Sequence, residues 1–299
     1  MEKYFENEAE AKKYKRISIA KDIVVYLLLT AFAIFTLIPF LWMIFTAFKS
    51  TNEIQDTTVL QTFLPKQWTN NFAIFFTNEK YMKLWRYMGN TILVGAITTI
   101  LQVGVTILAA FAFARLSFRG KNLIFGILLG TMMIPGEMMI ITNYTTVSNL
   151  GWIAEGNWKT FLALIFPFIS SVFYTFFLRQ NFKQIPDELY YAAKVDGVSD
   201  FKYLVKVMLP IARPAITTVV ILSMIGSWNA YIWPRTVTNN PDLSLVTNGI
   251  MEMFRDENGL ITNNLVMAGM VLVSLPLLIA FVVFKKYIMN GVSRAGIKG

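Results

Sequence analysis

Cysteine and histidine are both absent from the 299 residues. Their absence removes every thiol and imidazole nucleophile, every histidine proton relay, every disulfide and nearly every zinc or haem site. Charge is scarce too. Charged residues form 15% of the chain, where a soluble domain usually carries about 25%. Hydrophobic residues reach 55% and mean hydropathy is +0.52. Most hydrolytic and redox chemistry is therefore excluded, and the composition is that of an all-α polytopic membrane protein. A phosphate-binding loop is also missing. The nearest match to G-x-x-x-x-G-K-[ST] is Gly120-Lys121, with Arg115 where the first glycine belongs and Asn122 where the hydroxyl belongs. Any ATP that drives this chain must sit on another subunit.

What is present is a series of long apolar runs. About 20 apolar residues cross the hydrocarbon core of a bilayer. Six runs are candidates, at Ile23 to Phe48, Met88 to Ala114, Leu123 to Ile141, Phe161 to Phe177, Ile211 to Trp233 and Leu265 to Phe284. The first lacks the short apolar core and small-residue cleavage site of a signal peptide, so it reads as a retained span. The second is rich in Ala, Gly and Thr, and the third holds Gly126 and Gly130 in a GxxxG spacing that suits helix packing. Pro135-Gly136 breaks the third run. The expected organisation is a tail over 1–22, a six-span domain over 23–284 and a basic tail over 285–299, carrying Lys285, Lys286, Arg294 and Lys298.

Charge assigns the sides. Alternating loops place the N-terminal tail, residues 115–122, the polar segment through Arg213 and the C-terminal tail together, with 19 Lys and Arg against 9 Asp and Glu. The opposite loops, 49–86, 142–160 and 234–264, carry 8 of each. The positive excess lies on one side, which the positive-inside rule makes cytoplasmic. Both termini are therefore expected in the cytoplasm. The net charge of +9 does not indicate nucleic acid, because no loop is large enough to bind it.

One polar stretch between spans, Ile185 to Pro214, carries its own helix grammar. Pro186 suits a first helical position, and Asp187 and Glu188 fall in the first turn, where the helix dipole favours negative charge. Leu189, Ala192 and Ala193 form a narrow apolar stripe. Gly197 supplies a stop, and Ser199 or Asp200 can cap a second helix that runs to Pro210 and Pro214. A short exposed helix, a glycine elbow and a helix climbing into a span make a docking knob over 185–210. On pattern alone, the other reading is an ordinary amphipathic connector.

The order I-P-x-E-L-x-x-A-A-x-x-D-G, followed by L-P-x-x-x-P, resembles the loop that marks permease subunits of binding-protein-dependent ABC importers, most closely the maltose-type carbohydrate branch. Asn90-Thr91 through Ala112-Phe113-Ala114-Arg115, Met132-Met133-Ile134-Pro135, Ser227-Trp228-Asn229-x-x-x-Trp233-Pro234 and the terminal Gly291…Ala295-Gly296-Ile297-Lys298-Gly299 agree with that pattern. The resemblance implies the type I importer permease fold in a bacterial inner membrane. It implies a cytoplasmic coupling helix made by Glu188, Tyr191, Ala192, Ala193, Lys194, Asp196 and Gly197. Tyr191 stands where the family usually has Glu. The implied partners are a second, homologous permease, a cytoplasmic ATPase dimer that carries Mg-ATP, and an extracytoplasmic sugar-binding protein, with lipid around the whole. This chain itself would bind no cofactor and catalyse no reaction.

For a sugar pathway the candidates are Ser227, Trp228, Asn229 and Tyr231 at the outer end of the fifth span. Rings that stack on sugar faces stand there beside amide and hydroxyl donors, although an interfacial aromatic belt also places Trp and Tyr at such a depth. Asn143, Tyr144 and the intramembrane acid Glu137 are further candidates. The competing function is a stand-alone secondary transporter or channel for a small polar solute. Such carriers often show inverted repeats and charged midplane sites. No internal repeat is present, and only Glu137 lies within a span.

Overall fold

A computed structural model describes residues 8–55, 63–153, 158–254 and 263–296, with side chains over 14–54, 63–153, 158–254 and 264–285. The N-terminal lysines Lys12 and Lys13 and the tail residues Lys286, Arg294 and Lys298 lie outside the described side chains. Among the described residues every regular element is helical. Apart from short helical turns such as Thr51–Gln55 and Ile74–Thr77, the elements are α1 (Glu8–Ala47), α2 (Glu79–Ala114), α3 (Lys121–Thr131), α4 (Ile140–Asn149), α5 (Thr160–Ile165), α6 (Val172–Lys183) and α7 (Asp187–Val195). They continue with α8 (Asp200–Ile211), α9 (Arg213–Trp228), α10 (Ile232–Val237), α11 (Val246–Met253) and α12 (Asn263–Gly296).

Among the described residues three helices are each long and apolar enough to cross a membrane, namely Tyr14–Ala47 within α1, all of α2, and Asn264–Lys285 within α12. The other three apolar runs are not straight. Residues 121–131 and 136–149 meet at 89°, 160–168 and 172–183 at 42°, and 200–211 and 213–228 at 82°. The total reaches six spans if each bent pair is one. The breaks have local causes. Pro135 is extended, with ψ of 132°, and ends the third run. Ser171 is extended and caps α6, its hydroxyl accepting from the Tyr174 amide. Pro210 and Pro214 flank the bend at Ala212, and the middle of α8, Leu204–Met208, is a π-helical turn.

The chain divides into two compact units. In the first, the end of α1 is held to the segment that follows it. The Asn71 side chain donates to the carbonyls of Ala47 (2.9 Å) and Lys49 (2.8 Å), and Phe48 packs against Trp68 and Phe72. The buried Asn264, in the first turn of α12, donates to the Lys49 carbonyl at 3.2 Å.

The second unit is built on α2, which packs along α6, α9 and α11. Its small and hydroxylated buried residues, Thr91, Gly95, Thr98, Thr99 and Ala110, let neighbours approach closely. At one end Leu178, Phe182, Tyr203, Leu204 and Met208 close a cluster around Ala110 and Phe111. At the other, Val94 joins Ala163, Leu164, Trp233 and Val237. Gly249 of α11 lies so close to the buried Tyr87 ring that a Cβ there would stand 2.2 Å from it. The GxxxG glycines behave differently from expectation. A Cβ at Gly126 or Gly130 would meet nothing within 4 Å, so among the described residues they pack against no helix.

Candidate functional site

The docking segment begins where α6 ends. Pro186 is extended (ψ 136°) and stands just before α7 as its N-cap, one place earlier than its sequence pattern predicts. Asp187 and Glu188 occupy the first turn. At the far end Gly197 is left-handed (φ +72°). Its amide donates to the Lys194 carbonyl at 3.1 Å, and the Val198 amide donates to the Ala193 carbonyl at 2.9 Å. That pair of bonds is the Schellman stop, which needs a residue without a Cβ penalty at the left-handed position. Ser199 then caps α8, accepting from the Lys202 amide at 3.4 Å.

The face of α7 turned inward is not the predicted stripe. Tyr190 and Ala193 pack on the core beside Val198, whereas Leu189 and Ala192 are exposed. Tyr190 won the inward position because it finds partners for both ring and hydroxyl. Its ring meets Tyr203 edge-on at 5.1 Å, and its hydroxyl donates to Asp200 Oδ1 at 2.6 Å. Lys194 Nζ reaches the same carboxylate oxygen at 2.7 Å. The hydrogen bond to Asp200 raises the Lys194 pKa, and bonds from Lys194 and then Tyr190 hold the Asp200 carboxyl below its ordinary range. Burial, reinforced by Asp200, pushes the Tyr190 phenol up. The trio pins α7 to α8 across the glycine elbow.

With that face anchored, the opposite side is offered outward. Tyr191 is 64% exposed and Val195 88%, and Phe201 of α8 is exposed as well. Glu188, Ala192, Asp196 and Gly197 are exposed, Ala193 half-buried. A groove of about 310 Å³ runs between the two helices, lined by Leu189, Ala192, Asp196, Lys202 and Lys206 among others. Of the seven predicted coupling residues, Glu188, Tyr191, Ala192, Asp196 and Gly197 thus lie on the exposed side, Ala193 turns partly inward, and Lys194, itself exposed, is bound to Asp200 of α8.

A second feature lies further along α2. A cavity of about 270 Å³ is walled by Thr98 and Gln102 of α2, Phe168, Tyr174 of α6, Ser223 and Ser227 of α9, and Trp233 of α10. Gln102 donates to the Phe168 carbonyl at 2.6 Å, and the Trp233 indole donates to the Ala163 carbonyl at 3.0 Å. Behind the wall, Thr99 and Ser223 share a buried hydrogen bond of 2.9 Å. The Thr98 hydroxyl is buried without a partner among the described residues. Such a group costs roughly 1–3 kcal/mol. Hydroxyl, amide and aromatic groups converge there, and among the described residues lining it the Tyr174 phenol is the one ionisable side chain. No group of three or more Asp or Glu that could hold a metal exists among the described residues.

Of the predicted pathway residues, only Ser227 is on this wall. Trp228 is buried beside it, and Asn229 and Tyr231 are exposed at the turn after α9. Asn143 (half-buried), Tyr144 and Glu137 (both exposed) line none of it. Thr98, Gln102, Tyr174 and Ser223 escaped the sequence reading. A signal existed, since Thr98 and Gln102 are four residues apart in an apolar helix, as are Ser223 and Ser227.

Residues 102–294 match the family described as binding-protein-dependent transport system inner membrane component. The chain is 27% identical over 268 residues to the arabinooligosaccharides transport system permease protein AraQ of Halalkalibacterium halodurans, covering 89% of this chain and 93% of that one. It is 29% identical to the trehalose/maltose transport system permease protein MalG of Thermococcus litoralis, over 95% and 99% of the two chains. In three dimensions it superposes on a chain of a bacterial ABC transporter involved in the import of the acidic polysaccharide alginate, with a TM-score of 0.78 and 21% identity over 95% and 99% of the chains. That last likeness shows the fold alone.

Proposed function

The chain belongs to the family of binding-protein-dependent transport system inner membrane components, and on that premise we propose that it is one permease subunit of an ATP-driven importer of sugars or oligosaccharides. It forms half of the translocation pathway in the bacterial inner membrane, with both termini in the cytoplasm. Its partners are a second, homologous permease, an ATPase dimer holding Mg-ATP and an extracytoplasmic sugar-binding protein. No step of covalent chemistry falls to this chain.

The observation that carries this reading is α7 with its Schellman stop. One face is locked to α8 by Tyr190, Lys194 and Asp200, and the other shows Tyr191 and Val195 to solvent. Such an exposed apolar patch on a polar segment marks a protein contact. Closure of the ATPase would carry α7 with it, and the helices behind would shift as a rigid body between inward- and outward-facing states. The cavity between α2, α6 and α9 supplies this chain's share of the pathway. Its hydroxyls and amide match a polyol, and Trp233, Phe168 and Tyr174 offer ring faces.

Mild detergent extraction and pull-down of the tagged chain, with bound proteins identified by mass spectrometry, tests the reading. A P-loop ATPase and a second similar permease are expected. Recovery of the chain alone, or as a homo-oligomer whose uptake survives without any ATPase, would replace it with a stand-alone transporter.

A further inference from the structure

The guanidinium of Arg115 sits where three helices end or begin. Arg115 is the C-cap of α2, and its side chain is only 4% exposed. Nη2 donates to the Phe182 carbonyl at 2.9 Å and also to the Ile185 carbonyl, and Nη1 pairs with Asp187. Phe182 lies in the last turn of α6, where carbonyls lack helical partners and the dipole favours a cation. Ile185 lies in the turn between α6 and α7, and Asp187 opens α7. One residue therefore ties the end of α2, the end of α6 and the start of the docking helix.

The same junction is tightened from the other direction. Arg179 of α6 donates from Nε to the Phe113 carbonyl, near the end of α2, at 3.0 Å. Its guanidinium lies 3.9 Å from the centre of the Phe125 ring of α3. Arg179 joins α6 to α2, but only Arg115 reaches α7. From Arg115, α2 runs unbroken to Gln102 and Thr98 on the cavity wall. At about 1.5 Å per residue, Gln102 is about 20 Å away.

We infer that Arg115 is a positioning residue that transmits movement of the docking helix to the cavity wall through α2. This rests on the proposed importer function. A helix is a rigid rod along its hydrogen-bonded axis, so a displacement applied at the C-cap of α2 arrives at Gln102 and Thr98. Without the fork, α7 remains attached to α8 through Tyr190, Lys194 and Asp200, and the ATPase can still move it. The movement then passes into α8 and its π-turn and reaches α2 only through the apolar packing of Tyr203, Leu204 and Met208 around Ala110 and Phe111, without a hydrogen-bonded link. The carbonyl bonds matter more than the ion pair, because Asp187 is 64% exposed and its charge is screened by solvent.

Because this chain has no native cysteine, a single thiol introduced into it can be followed on its own band in the full complex of both permeases, ATPase and binding protein, rebuilt in lipid vesicles. Ser227→Cys places a reporter thiol on the cavity wall. Its rate of modification by a membrane-impermeant maleimide is compared with and without Mg-ATP and vanadate. With Arg115 in place the two rates should differ at least fivefold. Arg115→Gln should keep ATP hydrolysis within about twofold and bring the two rates within a factor of two. Arg115→Lys, which keeps charge but not the fork, should fall between, and Asp187→Asn should lose less than either.

An unchanged rate ratio in assembled Arg115→Gln overturns the inference. Should that variant fail to assemble, Arg115→Lys decides, and a full ratio there overturns it equally. If the reporter chain with Arg115 intact shows no nucleotide-dependent difference, the importer reading itself falls, which is a separate result.

Discussion

The docking segment and the cavity wall are opposite kinds of site. The first is local. Pro186, Asp187, Gly197 and Ser199 specify a helix, a stop and a new helix within fourteen residues, and each acts on backbone groups only a few positions away. The second is assembled from α2, α6, α9 and α10, with contacts such as Gln102 to Phe168 and Thr99 to Ser223 bridging 66 and 124 residues. A local site should fail abruptly when its backbone rule is broken. A distributed one should degrade by degrees, and in function before stability.

The largest effect belongs to the elbow. Gly197→Val puts a β-branched residue at φ +72°, where even an ordinary side chain costs roughly 1–2 kcal/mol. The Schellman bonds open and α7 is presented at the wrong angle. Uptake should fall at least tenfold while the amount of chain in the membrane is unchanged. Full uptake by a well-inserted Gly197→Val chain would make the two sites alike and remove the docking role.

Next comes a divergence between stability and function at the cavity. Thr98→Val keeps the shape but removes a buried hydroxyl that has no partner among the described residues. Relief of about 1 kcal/mol should hold or raise the melting temperature, while uptake drops severalfold if the hydroxyl meets the transported sugar. Loss of both, or of neither, would show that Thr98 belongs to packing alone.

A smaller change is expected at the anchor. Tyr190→Phe keeps the ring against Tyr203 but deletes the bond to Asp200, while Lys194 still holds that carboxylate. The net cost of one hydrogen bond to a charged group is about 1.5–3 kcal/mol at most, discounted here because Asp200 is partly exposed. A two- to threefold fall in uptake per ATP hydrolysed is the expected reading.

The weakest effect is that of pH. Asp200 has a lowered pKa, so its support for the elbow is present above the ordinary carboxylate range and lost only as pH falls through the lowered value. Lys194 has a raised pKa, so its share is present below the ordinary lysine range and lost only as pH rises through the raised value. Between roughly pH 5 and 9 the trio should therefore stay intact. Limited proteolysis of the 185–210 segment should show the same cutting rate across that range.

The same contrast explains what the sequence made legible. Gly197, Ser199 and the first-turn acids stood out because capping and left-handed geometry depend on a few adjacent residues. The family followed from their order. Tyr190 did not stand out, because a tyrosine beside Tyr191 reveals its inward direction only once Asp200 and Tyr203 come near. The bends near Pro135 and Ala212 lie at visible prolines, but their angles depend on packing. Of the pathway candidates, Ser227 lines the cavity, whereas Trp228, Asn229 and Tyr231 do not. Consecutive residues after the end of α9 point in different directions, and only a residue four positions from Ser223 shares its face. Glu137 drew attention as the one acid in a span, yet it sits exposed in the turn Gly136–Met139 at the break.

The most direct test of the docking role is cross-linking from a single cysteine placed at Ala192 in this cysteine-free chain, within the complete complex. Asn240→Cys, outside the docking segment, serves as control. A thiol-to-amine cross-linker should join Ala192→Cys to the ATPase subunit in a nucleotide-dependent manner and leave Asn240→Cys unjoined. Absence of that product from a complex that still transports, or equal products from both positions, would contradict the account.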